Sequence, residues 1–336
     1  MRFTIAILAV CLLPAQETPV FRTESALALV RFHVVHKNRY ITDLKPADVV
    51  LLEDGVPRKF TVFENAMAAQ RTVPVEMTLL FDTSGSVMDE GLLNPLVFKE
   101  TLLDHLENVS VAVYGFDRNM KRYCEPTRDF ARLQAAFAAL GARGKGEPIE
   151  LHLPPRRKAD PNSGTWLFEA VAAVSREAAA TGGDATRMVL VFSDGFPSTD
   201  SRPEDASDLN RELGIPVYPV VLGHGKLLER MGEEQQRQKP FEPTSGALNN
   251  LMAKQNEIME FARLGELTGG RSFDPPELTL TVMRSVLGSM VGQVRTEYVV
   301  GFAPEASGAP CKHKLEIRLR GKDTGKVTGG TRTVLH

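Results

Sequence analysis

The sequence has little of several features that would define its class at once. It contains three cysteines and one tryptophan, only 7% of its residues are aromatic, and its 40 basic residues do not exceed its 42 acidic ones. Without a basic surplus, the composition disfavours nucleic acid or an anionic membrane as the main partner. The hydrophobic share of 43% and the charged share of 24% are ordinary for a globular protein and exclude a disordered or fibrous chain. The length of 336 residues predicts one large core with a smaller companion.

No apolar run near the N-terminus is long enough to cross a bilayer, which needs about 20 apolar residues. The run from Phe3 to Leu13 follows Arg2, and Pro14-Ala15 then lead into a polar stretch. This pattern predicts a signal peptide over residues 1–15, cut after Ala15. An apolar strand or helix that stays attached is the alternative. We therefore expect an exported protein, periplasmic, cell-surface or extracellular, with no transmembrane span in the mature chain.

Removal of the signal peptide would leave two cysteines, Cys124 and Cys311. An exported protein can hold a disulfide, but these two residues are far apart in sequence, and a disulfide needs their Cα atoms close together. The sequence favours two buried free thiols and leaves the disulfide open.

Strand patterns occur near both ends of the chain. The N-terminal ones lie at 26–36, 48–52 and 58–63, and the C-terminal ones at 297–302, 314–319 and 331–335. Each set has too few strands to form a stable sandwich by itself. We therefore predict a small β-sandwich-like domain built from an N-terminal β region (20–66) and a C-terminal β region (297–336), with the centre of the chain inserted between them.

The centre, residues 73–296, alternates strand and helix patterns. Continuous apolar runs, typical of buried parallel strands, lie at 75–81, 110–116, 187–192 and 215–222. Helical patterns lie at 94–106, 130–140, 167–180, 204–213, 253–267 and 278–294. The alternation predicts an α/β domain with a doubly wound, mostly parallel sheet. Residues 227–251 are rich in Glu, Gln, Lys and Pro and are predicted to form a solvated surface insertion.

Oxygen-bearing side chains follow two of the predicted strands. Asp82, Ser84 and Ser86 end the first strand at alternate positions, and Asp194 with Gly195 ends a later one. Open α/β sheets bind ligands outside the carboxyl ends of their strands, where the strand order reverses. An all-oxygen donor set suits Mg²⁺, Mn²⁺ or Ca²⁺. Taken singly, each residue could equally cap a helix or make a turn.

Together, Asp82-x-Ser84-x-Ser86, Gly164-Thr165 and Asp194-Gly195 resemble the three-part metal-ion-dependent adhesion site of von Willebrand factor A domains, in both order and spacing. The resemblance covers roughly residues 73–296, and the Glu53-Asp54-Gly55 turn before it is similar to a family of secreted bacterial proteins that carry such a domain. It implies direct coordination by the two serines, water-mediated coordination by the two aspartates, and either mode for Thr165. The predicted metal ligands are Asp82, Ser84, Ser86, Thr165 and Asp194.

The resemblance implies an exported metal-dependent adhesion or binding module and no enzymatic activity. Its partner would be a protein whose Asp or Glu carboxylate completes the Mg²⁺ coordination, or a glycan. The rival function is a metal-dependent hydrolase at the same edge of the sheet. The sequence has no Gly-x-Ser-x-Gly elbow, no second acidic pair for a two-metal centre, and no histidine next to either aspartate. A base from a distant loop, such as His152 or His224, stays open, as does a structural scaffold with a vestigial site.

Overall fold

The computed structural model of the chain describes residues 27–37, 39–65, 74–84, 93–153, 158, 164–183, 185–237, 244–304, 311–321 and 325–336. Two predictions lie outside these residues, the signal peptide at 1–15 and the metal ligand Ser86. Within the described residues, no helix combines the length and the apolar character needed to cross a membrane.

The elements follow one another in three groups. The N-terminal strands are β1 (Ala28–His36), β2 (Arg39–Tyr40), β3 (Val49–Glu53), β4 (Val56–Arg58) and β5 (Val62–Asn65). The central strands are β6 (Val75–Asp82), β7 (Val109–Phe116), β8 (Met120–Thr127), β9 (Glu147–Ile149), β10 (Thr186–Ser193) and β11 (Val217–Val221). The helices are α1 (Pro95–Phe98), α2 (Phe130–Gly141), α3 (Leu167–Ala180), α4 (Pro203–Leu213), α5 (His224–Arg237), α6 (Gly246–Thr268) and α7 (Leu280–Arg295), and α1 continues into a π-helical turn at Lys99–Leu103. The C-terminal strands are β12 (Tyr298–Phe302), β13 (Lys312–Leu319), β14 (Lys326–Gly329) and β15 (Thr331–Leu335).

The central strands form a six-stranded sheet in the order β11-β10-β6-β7-β8-β9. The strands from β11 to β7 are parallel, and β8 and β9 run antiparallel at one edge. Read from β8 to β11, without the short β9, the order corresponds to the 3-2-1-4-5 part of the doubly wound arrangement. The switch point of that arrangement lies between its first and fourth strands, which are β6 and β10 here. A parallel β-bridge between Val220 and Phe273 extends the sheet on the far side of β11, at the position of strand 6 in that arrangement. The predicted doubly wound α/β fold is confirmed.

Helices cover both faces of this sheet, which explains why its parallel strands are apolar on both sides. One face packs against α1, α2 and α7 through buried residues such as Phe98, Phe137 and Leu287. The other packs against α3, α4 and α6 through residues such as Val171 and Phe261.

The remaining strands form two antiparallel sheets, each built from both ends of the chain. One has the order β14-β1-β12-β5, with β2 beside β1, and the other has the order β15-β13-β3-β4. Their facing side chains share one core that includes Phe32, Leu51, Tyr298, Val300 and Leu315. The predicted sandwich of N- and C-terminal strands is confirmed, while the domain boundaries 20–66, 73–296 and 297–336 stay predictions.

Helix α5 and strand β8 were not predicted from the sequence. The segment 227–251, predicted as a solvated surface insertion, carries most of α5 and the start of α6. Its polar composition did indicate exposure, since only His224 and Leu227 of α5 are buried, but Glu, Gln, Lys and Arg are also good helix formers. Strand β8 was not predicted, because its charged residues break the apolar pattern at the sheet's antiparallel side.

Both described cysteines are free thiols, so no disulfide joins Cys124 to Cys311. Cys124 is buried as predicted, but Cys311 is exposed.

Candidate metal-binding site

Parallel pairing of β6 with β10 brings Asp82 next to Ser193 at the switch point. Phe81 is the register partner of Phe192, so the next residue of each strand lies at the same edge of the sheet. The Ser193 hydroxyl donates to Asp82 Oδ2 at 2.7 Å, and the Ser84 amide donates to Asp82 Oδ1 at 2.9 Å. Asp82 and Ser193 are fully buried. The carboxylate is therefore held in one orientation by a donor on each oxygen.

The segment after β6 is also fastened to β7. The amide and the hydroxyl of Thr83 both donate to the Phe116 carbonyl, at 2.7 and 2.9 Å. This double contact fixes the direction in which the chain leaves β6 toward Ser84, which is partly buried.

Thr165 lies just before α3 and is tied to two neighbouring loops. Its amide donates to the Ser198 hydroxyl at 3.0 Å, and the Ser198 amide donates back to the Thr165 carbonyl at 2.8 Å. The following Trp166 amide donates to the Asp117 carbonyl at 3.0 Å. Since Asp117 follows β7 and Ser198 follows β10, Thr165 lies at the same carboxyl edge as Asp82 and is buried there.

Asp194 and Gly195 turn the chain away from β10. Asp194 Oδ1 accepts from the Phe196 amide at 3.3 Å. Gly195 has φ +79°, and a Cβ there would lie 3.2 Å from Phe261 and 3.3 Å from the Cα of Ile258. Both the left-handed backbone and the close packing of α6 require glycine at this position.

The electrostatics of the site favour a cation. Burial, with a smaller contribution from the nearby charge of Asp194, raises the pKa of Asp82 to about 6, against the hydrogen bonds from Ser193 and Ser84. The charge of Asp194 also adds to the burial that raises the pKa of Glu257 on α6. A divalent cation between hydroxyls and carboxylates would offset this repulsion, so the described residues fit an oxygen-ligated metal.

A histidine also lies at this edge. The chain passes from β11 through Leu222, whose amide donates to the Ser193 carbonyl at 2.9 Å, into His224 at the start of α5. His224 Nδ1 lies 2.7 Å from Asp274 Oδ2, whereas Nε2 is buried and has no hydrogen-bond partner within the part of the chain that the structure describes. His152, the other candidate base, is exposed near Glu150.

Comparison with known proteins gives likeness of fold only. No family model matches the chain, and no curated protein does. Similar solved structures include the conserved hypothetical protein BatB from Bacteroides thetaiotaomicron, with 14% identity and a TM-score of 0.40 over 66% of this chain and 100% of that one. The ArnB paralog VWA2 from Sulfolobus acidocaldarius has 10% identity and a TM-score of 0.36, over 92% and 74%. Manganese-loaded TRAP protein from Plasmodium vivax has 11% identity and a TM-score of 0.36, over 84% and 97%.

In this molecule, helices cover both faces of the parallel sheet, and Asp82 and Asp194 lie at its switch point. The central region has a doubly wound α/β fold.

Proposed function

We propose that this protein is an exported, metal-dependent binding module and not an enzyme. Its metal ligands are Asp82, Ser84, Ser86, Thr165 and Asp194, and the ion is Mg²⁺, with Mn²⁺ or Ca²⁺ as the alternatives. One observation carries the proposal: Asp82 is buried at the switch point, held by Ser193 and Ser84, and subject to the charge of Asp194.

The residues of the site have separate tasks. Ser193 and the Ser84 amide orient the Asp82 carboxylate, and Ser198 holds the backbone of Thr165. Two carboxylates among five ligands leave the ion with net positive charge and an open position, so that it attracts an incoming carboxylate. The partner is then a protein that presents Asp or Glu, with an acidic glycan as the alternative.

Basic groups near the site support an acidic partner. Lys254 on α6 is exposed and lies over the ring of Phe196, with its Nζ 5.2 Å from the ring centroid. Lys158 precedes Thr165 in the chain, and its backbone amide and carbonyl pair with Asp200, two residues after Ser198. These contacts bring positive charge close to the loops that carry the metal ligands.

Calorimetric titration of Mg²⁺ into the metal-stripped protein tests the metal site. We expect one Mg²⁺ per wild-type chain and no measurable binding by Asp82→Ala, because the variant loses the carboxylate at the centre of the site. Asp208→Ala is the matched control, since Asp208 is an exposed α4 carboxylate whose ion-pair partner is Arg211. Wild type that does not bind, or equal binding by wild type and Asp82→Ala, contradicts the proposal.

The binding function requires a second experiment. The wild-type protein is immobilised and offered proteins and glycans in Mg²⁺. We expect partners that it retains in Mg²⁺ and releases with chelator, and that Asp82→Ala does not retain. Metal-dependent turnover of a phosphate or carboxylate ester that is lost in both Asp82→Ala and His224→Gln would instead favour the hydrolase.

A further inference from the structure

A second cluster of ligand-type side chains lies at one end of the β-sandwich. Glu53, His313 and His336 each offer a ligand atom, and these atoms lie within 4.8 Å of one another. Cys311 lies beside them, with its Sγ 2.8 Å from His313 Nε2. None of these residues belongs to the site on the parallel sheet.

The strand register explains why these four side chains converge. Cys311 and His313 are two residues apart on the same extended segment, so they point to the same face. Cys311 and His336 are directly opposite each other, since their amides and carbonyls exchange hydrogen bonds of 3.0 and 3.2 Å. Glu53 is the register partner of Leu315, which lies two residues beyond His313 and is fully buried in the core. All four side chains therefore extend from the inner face of three adjacent strand segments, at the end of the core.

The contacts within the cluster join side chains that could each bind a metal after losing a proton. His336 Nε2 lies 2.7 Å from Glu53 Oε1, and the two imidazole rings stack with centroids 4.1 Å apart. The His336–Glu53 and Cys311–His313 contacts each need a proton between two groups that could bind a metal once that proton is lost. His336 Nδ1 is buried without a hydrogen-bond partner among the described residues.

Outer contacts orient the potential ligands. His313 Nδ1 lies 2.8 Å from Asp54 Oδ2, and Asp54 Oδ1 accepts from the Lys314 amide at 2.8 Å. These hydrogen bonds lower the pKa of Asp54. Arg58 Nε donates to Glu53 Oε2 at 2.7 Å, which leaves Oε1 for the cluster. A carboxylate on the far nitrogen of a histidine is the usual outer partner of a metal-bound imidazole.

The charges and donor types select a borderline-soft divalent ion. The net charge of the cluster is two negative when Cys311 is a thiolate, because the negative charges of Glu53, Asp54 and Cys311 are partly offset by the Arg58 guanidinium. One divalent ion would balance this charge. Imidazole and thiolate donors suit Zn²⁺ and disfavour Mg²⁺ and Ca²⁺. Zn²⁺ is usually bound by four ligands in a tetrahedron, at about 2.0 Å from nitrogen and 2.3 Å from sulfur.

We propose that Glu53, Cys311, His313 and His336 form a Zn²⁺ site that joins the N-terminal strand β3 to the C-terminal strands of the sandwich. Binding displaces the Cys311 thiol proton and the protons shared within the cluster, and these pass to solvent. Cys311 is exposed and can rotate to open the space that the ion needs. This proposal does not depend on the proposed function.

Cobalt substitution tests the site, because Co²⁺ reports both its coordination geometry and a thiolate ligand. The full chain, without a polyhistidine tag, is stripped of metal, reduced and titrated with Co²⁺ in excess Mg²⁺, and its visible and near-ultraviolet absorption is recorded. We expect one equivalent of Co²⁺ with the intense visible bands of a tetrahedral site and a thiolate-to-cobalt charge-transfer band. One equivalent of Zn²⁺ should abolish both.

Variants assign the ligands. Cys311→Ser should lose the charge-transfer band, and His336→Gln should lose the tetrahedral bands. Asp54→Asn, which removes an outer partner, should weaken Co²⁺ binding by about 10- to 100-fold. Cys124→Ala and Asp82→Ala are the controls and should leave the spectrum unchanged, which separates this site from the one on the parallel sheet.

A weak octahedral Co²⁺ spectrum that is the same in wild type and Cys311→Ser would overturn the proposal. So would tetrahedral bands without a charge-transfer band, since Cys311 would then not be a ligand. Cys311→Ser changes an exposed side chain and keeps the test valid if His336→Gln does not fold, as judged by circular dichroism.

Discussion

At the scale of single residues, burial decides how His33 behaves. His33 lies on β1, is only 6% exposed, and its Nδ1 has no hydrogen-bond partner among the described residues. Burial lowers the pKa of His33, and the charge of Arg271 lowers it further, while Glu297 and the backbone at Thr296 act in the opposite direction. The imidazole is therefore kept neutral inside the fold.

This predicts a loss of stability in mild acid. The unfolded chain binds a proton at His33 near the ordinary pKa of about 6.5, whereas the folded chain binds it only at lower pH. The contribution of neutral His33 to the free energy of unfolding is thus complete above about pH 6.5. It decreases by up to about 1.4 kcal/mol per pH unit as the pH falls toward the pKa of His33 in the folded chain. Urea unfolding at a series of pH values should show a smaller decrease for His33→Gln than for wild type. Parallel curves for the two proteins would contradict the assignment.

At the scale of elements, the end of α6 is clamped to the start of β11. Thr268 Oγ1 accepts from the Val217 amide at 2.9 Å. Two residues later, a Cβ on Gly270 would lie 2.0 Å from the Val217 carbonyl oxygen, so the two backbones are in contact. The loop after Gly270 then runs beside β11 to Phe273, whose amide donates to the Pro219 carbonyl at 2.7 Å. These contacts between the loop and β11 hold Asp274 next to His224, at the carboxyl edge of the parallel sheet.

We predict that Gly270→Ala destabilises the protein by about 1–3 kcal/mol, because the added methyl group must displace backbone. Gly288→Ala is the matched control: Gly288 lies within α7, and nothing lies within 4 Å of the position of its Cβ. That substitution should stabilise by about 0.5–1 kcal/mol, since glycine is a poor helix former. Chemical denaturation measures both values. Equal effects would show that the loop can move away from β11.

Helix α5 also shows where sequence patterns mislead. The segment 227–251 was predicted as a solvated surface insertion and its helix was missed, because α5 lacks an apolar stripe of ordinary width. A helix on the surface needs few apolar residues, because it can pack through a narrow contact and leave the rest in water.

At the scale of the whole molecule, the two ends of the chain depend on each other. Strand β3 lies between β4 and β13, and its residues Val49 and Leu51 are buried against the C-terminal strands. Removal of β13 would leave β3 with only a three-residue hairpin partner, too little for a stable sheet.

A chain truncated after Pro304 should therefore lose amide hydrogen-exchange protection over residues 49–58. Strands β6 and β10 should keep theirs, because their neighbours are all central elements. Exchange followed by mass spectrometry, with the full chain as reference, measures both regions in one experiment. Retained protection over 49–58 would mean that β3 and β4 are stable without the C-terminal strands.

The sequence by itself determined the type of fold and most of the site on the parallel sheet. Alternating apolar runs and helical patterns predict a doubly wound sheet, and Asp82, Ser84, Thr165 and Asp194 follow from local motifs at strand and helix ends. Such signals depend on neighbouring residues and on the chain direction, so they are readable without coordinates. Binding of an ion by these residues, with Ser86, stays a prediction.

Only the tertiary structure decided what depends on pairing between distant segments. Ser193, which holds the Asp82 carboxylate, could have been suspected from its place before Asp194, but its partner is set by the β6–β10 register. The cluster of Glu53, Cys311, His313 and His336 has no compact motif, because Glu53 lies on an N-terminal strand, 283 residues before His336. Strand register and the packing of the two sheets bring these side chains together, and neither is encoded in any local stretch of the chain.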